Sequence, residues 1–412
     1  MMNTKRIYPW VVVGLLWGVA LLNYMDRQML STMKDAMQID ITELQSATNF
    51  GRLMAIFLWI YGFMSPVAGL IADRINRKWL IVGSLFVWSA VTYGMGYANT
   101  FDQVYWLRAL MGVSEALYIP AGLSLIADWH QDKSRSLAIG IHMTGLYCGQ
   151  AIGGFGATIA AAYSWHTTFH WFGIIGIIYA AILIFFLREN KEHMAIEKLS
   201  HNKNNSKDSS VLKSLSLLFS NIAFWVILFY FAAPSLPGWA TKNWLPTLFS
   251  ENLNMDMASA GPLSTITIAI SSFIGVIAGG ILSDRWVQKN IRGRVYTGAI
   301  GLSMTIPALM LLGFGHNTIG IVCAGLLFGI GYGIFDANNM PILCQFVPAK
   351  QRATAYGIMN MTGVFAGAAV TSLLGKWTDG GNLGLGFAWL SVIVLIAVVL
   401  QLYFLRPETD NK

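Results

Sequence analysis

The sequence has few charged residues and long stretches that contain none. Charged residues make up 11% of the 412 positions and hydrophobic residues 55%, whereas a soluble domain has about 25% charged residues. This composition excludes an ordinary soluble protein. Spanning a bilayer takes about 20 mainly apolar residues, and twelve segments qualify. They are predicted at 7–33, 48–72, 79–98, 103–128, 135–163, 167–187, 218–249, 260–283, 294–314, 317–346, 351–375 and 384–405.

Other absences narrow the function. The three cysteines (Cys148, Cys323 and Cys344) fall within spans and follow neither metal-ligand nor disulfide spacing. The sequence contains no phosphate-binding loop, dinucleotide fingerprint or nucleophile elbow. The first apolar run is too long for a cleavable signal peptide and has no small-residue cleavage site. We therefore expect a protein that is not an enzyme, is not driven by ATP, and uses no cofactor or metal.

The 27 Lys and Arg residues outnumber the 20 acidic ones, which gives a net charge of +7. With the amino terminus placed in the cytoplasm, 21 of these basic residues fall in cytoplasmic loops or termini. This bias follows the positive-inside rule and predicts that both termini are cytoplasmic. The basic excess therefore reflects topology, and we expect a multi-pass protein of a bacterial inner membrane that contacts lipid and binds no nucleic acid.

A polar segment divides the twelve spans into two sets of six. Residues 189–215 are rich in Lys, Asn, Ser and Glu and poor in apolar side chains, which is typical of a flexible linker. We predict an amino-terminal half at 1–188, a cytoplasmic linker at 189–215 and a carboxy-terminal half at 216–412.

The two halves carry the same short motifs at matching places. Gly69-Leu-Ile-Ala-Asp73-Arg74 ends the second span and Gly280-Ile-Leu-Ser-Asp284-Arg285 ends the eighth, with the aspartates 211 residues apart. Arg135-Ser-Leu-Ala-Ile-Gly140 and Arg352-Ala-Thr-Ala-Tyr-Gly357 form a second pair, 217 residues apart. Parallel repeats of six spans are typical of a rocking transporter whose substrate site lies between the halves.

The repeated loops also suggest a gate. Glycine allows close helix approach, and an aspartate beside a helix end can pair with it and then separate when the halves rock. We expect Asp73, Arg74, Asp284 and Arg285 to latch the outward-facing state in this way. The simpler alternative is that these charges only set the topology of the chain.

Charges also occur inside two spans, where each costs several kcal/mol unless it faces a polar cavity. Asp26 and Arg27 lie in the first span, and Arg108 and Glu115 in the fourth. Arg108 and Glu115 are seven residues apart, so they share one helix face about 10 Å apart. The alternative is that the arginines reach the headgroups and the acids neutralise them. Glu115 lies deeper in the membrane than Arg108, which this alternative does not explain. We therefore expect the arginines to form an anion-binding site beside an acid that can bind a proton.

Counting residues along each helix places further polar residues near the middle of the membrane. They are Tyr61, Tyr147, Gln150, Asp336 and Asn360. The tenth span carries the polar run Asp336-Ala-Asn338-Asn339-Met-Pro341, and proline-interrupted helices often form transporter sites. Asp336 is predicted either to bind substrate or to pair with a neighbouring helix. The roles of His142 and Lys242 stay open.

The loop motifs resemble the signature loop of the major facilitator superfamily, which implies an all-α fold of twelve transmembrane helices in two six-helix halves. Two further motifs resemble its anion:cation symporter branch, which transports hexuronates, aldonates and sialic acid. They are Asn23-Tyr24-Met-Asp26-Arg27 and Arg108-Ala-Leu-Met-Gly112-Val-Ser-Glu115-Ala116-Leu-Tyr-Ile-Pro120.

The resemblance implies roles for the charged residues of both motifs. Arg27 binds the substrate carboxylate, Asp26 and Glu115 carry protons, and Arg108 couples them. It further implies that Tyr24 and Tyr61 supply hydroxyl contacts. A planar guanidinium suits bidentate recognition of a carboxylate.

The chain departs from the branch at Leu146 and Val364, where many members have polar residues. These losses weigh against a galactonate-like substrate, and we expect Asp336 and Asn338 to supply contacts instead. The expected function is proton-coupled import of an acidic sugar by a chain that acts as a monomer, with sodium open as the coupling ion. The alternatives are a transporter of a neutral or phosphorylated sugar or another organic anion, and a receptor without net transport.

Overall fold

The computed structural model describes residues 4–130, 134–190, 219–220, 222–347 and 352–407. Within these ranges the chain forms twelve long helices and no strand. The helices are α1 (Thr4–Thr32), α2 (Ala47–Arg74), α3 (Arg77–Met95), α4 (Phe101–Ala116 and Tyr118–Trp129), α5 (Arg135–Gly153 and Gly156–Ala162), α6 (Trp165–Phe186), α7 (Ile222–Leu253), α8 (Met257–Val287), α9 (Gly293–Phe314), α10 (Thr318–Asp336 and Asn339–Phe346), α11 (Arg352–Asp379) and α12 (Leu383–Phe404).

The predicted fold class is confirmed, and each predicted span coincides with one helix to within a few residues at most ends. Ten of the twelve described helices are long and apolar enough to cross a bilayer by length and composition. The exceptions are α3, which opens with Arg77 and Lys78, and α5, which is divided after Gly153. The predicted linker falls outside the described residues apart from Glu189 and Asn190, so the domain boundaries stay a prediction.

Polar side chains fix where several helices begin. Ser46, Thr100, Asp256 and Asn317 each accept a hydrogen bond from the backbone N–H three residues later. A helix start leaves its first N–H groups without intrahelical partners, and such caps satisfy one of them.

Two helices, α4 and α10, break at corresponding places. The first segment of α4 ends just after Glu115, and the first segment of α10 ends at Asp336. Each acid stands five residues before a proline, Pro120 or Pro341. A proline ring clashes with the carbonyl four residues before it, which interrupts the helix there. Sequence reasoning identified the proline of α10 but not the equivalence of the two breaks.

Small residues let the helices that carry the charges pack closely. A Cβ atom on Gly112 of α4 would lie 2.8 Å from the carbonyl oxygen of Phe57 in α2. A side chain there would force the two helices apart. Gly112 therefore keeps Arg108 and Glu115 against the face of α2 that carries Phe57 and Tyr61.

The halves meet at the end of the bundle opposite the chain termini, which we call the far side. There the Asp379 carboxylate at the end of α11 accepts hydrogen bonds from Ser46 Oγ (2.8 Å), Ala47 N (2.6 Å) and Thr48 N (2.9 Å) at the start of α2. Gln28 Nε2 of α1 donates to the Lys242 carbonyl of α7 at 2.9 Å. These contacts close the far side.

The glycines of the repeated motifs have open space beside them. They are Gly69, Gly140, Gly280 and Gly357. A Cβ atom added to any of them would meet no described atom within 4 Å. The close approach expected at Gly69 and Gly280 is thus not made in this state. A latch that closes only in the opposite conformation stays a prediction.

Replacing Asp379 with Ala should shift the conformational equilibrium towards opening of the far side. The variant loses three hydrogen bonds between the halves, worth about 1 kcal/mol each in a protected site and less in contact with water. We expect about a tenfold change in the ratio of the two states, because 1.4 kcal/mol corresponds to a factor of ten. Distances between spin labels on the far-side ends of α2 and α11 would measure this ratio.

Asp102→Ala is the matched control, because Asp102 is an exposed far-side aspartate in the first turn of α4. An unchanged distance distribution in Asp379→Ala would show that the Asp379 contact does not hold the far side closed.

Candidate functional site

The charged residues of the first and fourth spans meet inside the amino-terminal half. Arg27 Nε donates to Glu115 Oε2 at 2.5 Å, and Asn23 Nδ2 donates to the same oxygen at 2.9 Å. Glu115 is fully buried, and the Arg27 side chain is 10% exposed. A buried charge is costly in a low-dielectric interior unless an opposite charge and hydrogen bonds compensate it, and Glu115 has both. The structure thus brings together Arg27, the residue predicted to bind the substrate anion, and Glu115, the predicted proton carrier.

Phe57 holds the two arginines in place. Its ring centre lies 4.8 Å from Arg27 Cζ and 4.5 Å from Arg108 Cζ, so both guanidinium groups lie against this ring. Each contact stabilises a cation without using its N–H groups. Sequence reasoning missed Phe57, although it stands four residues before Tyr61 and therefore shares a face of α2 with it.

Both arginines keep donors available. Arg27 Nη2 and Arg108 Nε are buried and have no hydrogen-bond partner among the described residues. Arg108 Nη1 contacts only the weak acceptor Met111 Sδ, at 3.0 Å. Buried guanidinium donors without partners are costly, and a carboxylate would satisfy them.

Asp26 lies apart from its neighbour Arg27 because consecutive helical residues point about 100° apart. The Asp26 side chain is buried and turned towards α3, where Thr92 Oγ1 lies 3.5 Å from its Oδ2. Its Oδ1 has no partner within the described part of the chain. Asp26 is thus a second buried acid, on roughly the opposite face of α1 from Tyr24. No signal in the sequence pointed to Thr92.

A cavity of about 70 Å³ lies between the halves. It has room for several water-sized groups. Both halves contribute polar side chains to its wall. They are Tyr24, Tyr147 and Gln150 from the amino-terminal half, and Thr241, Lys242, Ser272, Tyr332 and Asp336 from the carboxy-terminal half. Leu146, one of the two departures from the branch, also lines the cavity.

Tyr24 and Tyr61 both contact Arg27, and Tyr24 connects the charged cluster to the cavity. The Arg27 Cζ atom lies 5.1 Å from the Tyr24 ring centre and 4.6 Å from the Tyr61 ring centre. Tyr24 lines the cavity directly, whereas Tyr61 lies behind Arg27 and stacks on Phe57. A substrate in the cavity would therefore reach Arg27 past the Tyr24 ring.

Two predicted carboxy-terminal residues lie outside the cavity wall. Asn338 is fully buried at the break of α10, and its Nδ2 donates to the Ile334 carbonyl at 2.8 Å. Asn360 is half-buried on α11. Val364 is buried where α11 packs on α2, beside Gly62. Asp336 is the one residue of the polar run in α10 that reaches the cavity.

The gating residues are described only in part. Asp284 is exposed and lies 3.4 Å from Arg294 Nη2, and Arg285 is exposed. The side chains of Asp73 and Arg74 fall outside the described part of the structure. The gating role of all four stays a prediction.

The structure also places the two residues whose roles were open. His142 is fully buried and faces Tyr118, with ring centres 6.0 Å apart, and it does not line the cavity. Lys242 lines the cavity, and its Nζ lies 4.7 Å from the Trp239 ring centre and 5.7 Å from the Tyr24 ring centre.

Twelve long helices, ten of them long and apolar enough to cross a bilayer, surround a cavity with polar and charged walls between the two halves, and this arrangement is that of a multi-pass transporter. The family sequence model of the Major Facilitator Superfamily matches residues 16–372, and the chain belongs to this superfamily. It is a transporter of the inner membrane rather than an enzyme, as the sequence predicted.

Its relatives agree with the predicted branch. The chain is 26% identical to the hexuronate transporter of Bacillus subtilis (strain 168), over 98% of this chain and 96% of that one. It is 24% identical to the probable galactarate/D-glucarate transporter GarP of Escherichia coli (strain K12), over 89% and 87%. The resemblance to anion:cation symporters is therefore confirmed.

A solved structure shows the same fold. It is that of a bacterial homologue of the human lysosomal transporter Spinster, in an inward-facing and occupied conformation. The TM-score is 0.79 at 19% identity, and the match covers 98% of this chain and 99% of that one.

Proposed function

We propose that this protein is a proton-coupled symporter that imports an acidic sugar by alternating access. One observation carries the proposal: the predicted carboxylate ligand Arg27 and the predicted proton carrier Glu115 are bound to each other. Whatever changes the charge of Glu115 therefore changes the availability of Arg27.

The contact gives a direct coupling mechanism. While Glu115 is ionised, it occupies Arg27 Nε and neutralises its charge. A proton on Glu115 removes that negative charge, and Arg27 is then free to bind a substrate carboxylate through its planar fork. Because an uncompensated charge is costly inside the membrane, proton and carboxylate bind together. Release of both on the termini side restores the ion pair.

Arg108 and Asp26 extend the coupling. Arg108 and Arg27 both contact the Phe57 ring, so a movement of one guanidinium group changes the packing of the other. Asp26 lies between α1 and α3 and is a second buried proton site. We propose that Arg108 stabilises Glu115 when it is ionised and that Asp26 carries a further proton.

The cavity wall suits a sugar. Tyr147, Gln150 and Tyr332 present hydroxyl and amide groups to the cavity. Sugar hydroxyls are both donors and acceptors and would pair with such groups. The names of the two relatives, which refer to hexuronate and to galactarate/D-glucarate, support an acidic sugar.

Uptake into proteoliposomes tests the proposal. The purified protein would be offered a panel of radiolabelled acidic sugars under an imposed proton gradient, with glucose as the neutral control. We expect accumulation of at least one acid that stops when a protonophore collapses the gradient and that does not depend on sodium. Accumulation driven by a sodium gradient, or preference for the neutral sugar, would contradict the proposal.

A further inference from the structure

The internal repeat relates the charges of the two halves as well as their loops. Arg27 in α1 and Lys242 in α7 are 215 residues apart, and Glu115 in α4 and Asp336 in α10 are 221 apart. Both spacings are close to the 211 and 217 residues that separate the loop motifs. Each half therefore carries a cation on its first helix and an acid at the break of its fourth.

The two pairs differ in state. Arg27 and Glu115 are in direct contact inside the amino-terminal half. Lys242 forms no ion pair within the described residues, and its ammonium group lies against the faces of Trp239 and Tyr24. Asp336 accepts a hydrogen bond from Asn339 Nδ2 at 3.1 Å and is exposed to the space between the halves. The carboxy-terminal pair is thus open, and both members line the cavity.

Lys242 and Arg27 converge on one ring. Arg27 Cζ lies 5.1 Å and Lys242 Nζ 5.7 Å from the Tyr24 ring centre, so the cations are separated by no more than the sum of these distances. The hydrogen bond from Gln28 Nε2 to the Lys242 carbonyl fixes their relative height, because Gln28 follows Arg27. One short ligand can therefore reach a cation of each half.

We propose that Lys242 is the substrate cation of the carboxy-terminal half, and that the transported sugar acid is a polyhydroxylated dicarboxylate with one carboxylate on Arg27 and the other on Lys242. The inference rests on the proposed function and narrows its substrate class, because hexuronates, aldonates and sialic acid each carry one carboxylate.

Charge and position both support this assignment. A lysine that only anchored the chain at the lipid headgroups would extend outwards, whereas Lys242 lines the cavity. An ammonium group without an anionic partner inside the bundle is costly. A carboxylate offsets that cost, and the flexible stem of lysine suits a ligand end that needs charge more than bidentate geometry.

Three six-carbon acids that differ only at their ends give the test: gluconate and glucuronate have one carboxylate, and glucarate has two. Binding to the purified protein would be measured by isothermal titration, and proton-driven uptake in proteoliposomes. We expect wild type to prefer glucarate. Lys242→Gln should weaken glucarate binding roughly ten- to a hundred-fold, as loss of one charge-assisted hydrogen bond implies. The same variant should change binding of the monocarboxylates by less than about threefold.

Matched variants separate recognition from general effects. Lys376→Gln removes an exposed lysine near the far-side end of α11 and should change nothing. Lys242→Arg should retain the preference for glucarate, which shows that the cation is what matters even if Lys242→Gln folds poorly. Preference of wild type for a monocarboxylate, or an equal loss for all three acids in Lys242→Gln, would overturn the inference. Proton-driven uptake of monocarboxylates alone would overturn it and leave the proposed function standing, whereas absence of proton-driven uptake of every acid would overturn the proposed function.

Discussion

Arg27→Lys is expected to abolish measurable substrate binding although it keeps the positive charge. Arg27 uses Nε to bind Glu115 and still has a buried Nη2 without a partner, so one planar group serves an acid of the protein and an acid of the substrate. An ammonium group is a point charge without this fork, and its shorter reach would leave either Glu115 or the substrate unpaired. We expect a loss of affinity of at least about a hundredfold, because leaving a buried charge without its partner costs about 3–5 kcal/mol.

Isothermal titration with the preferred sugar acid would measure this loss. Arg52→Lys is the matched control, because Arg52 is an exposed arginine near the far-side end of α2 that, among the described residues, donates a hydrogen bond only to Asn49 Oδ1 at 3.4 Å. Its binding should equal that of wild type. Wild-type affinity in Arg27→Lys, or in Arg27→Ala, would show that the carboxylate binds elsewhere.

Glu115→Gln is expected to separate substrate exchange from substrate accumulation. Glutamine mimics the protonated acid, so Arg27 would be permanently available and substrate would still cross the membrane down its own gradient. The variant has no proton to release, and uphill uptake should fall to background. Counterflow would measure exchange, and uptake under an imposed proton gradient would measure accumulation.

The same variant should also lose a pH dependence. If Glu115 is the proton carrier, lowering the pH of wild type should place a proton on Glu115, free Arg27 and strengthen substrate binding, and raising the pH should do the reverse. Binding to Glu115→Gln should stay strong as the pH rises. Glu43→Gln, at an exposed far-side position, is the control and should keep the wild-type behaviour. Persistent accumulation in Glu115→Gln would assign the coupling proton to another buried titratable group, with Asp26 and His142 the next candidates.

The sequence predicted the helices well because their signal is local. Apolar runs of membrane length are read directly from composition, and the repeated motifs reveal the two halves without any knowledge of packing. The predicted site residues came from the same source: charges are rare inside spans, so Asp26, Arg27, Arg108 and Glu115 stand out.

Contacts between these residues were harder to predict. Counting residues along a helix assigns each side chain to the level of its own backbone. By this count Arg27 lies at the level of Arg108 and not at that of Glu115. The long arginine side chain spans the difference and reaches Glu115 as well. Asn338 shows the converse, because its depth matched the cavity but the break in α10 turns its amide towards the Ile334 carbonyl. Side-chain direction at a helix break depends on tertiary packing, which no local pattern contains.

The carboxylate of Asp379 lies at the surface of the bundle, in water, whereas the ion pair of Arg27 and Glu115 lies in the low-dielectric interior. Water competes for the hydrogen bonds of the exposed carboxylate and does not compete for those of the buried pair. The medium on the far side therefore acts on the opening of the empty carrier and leaves the proposed coupling of proton to substrate unchanged. Its composition would alter how often the carrier presents its site, and not how tightly the presented site holds its ligand.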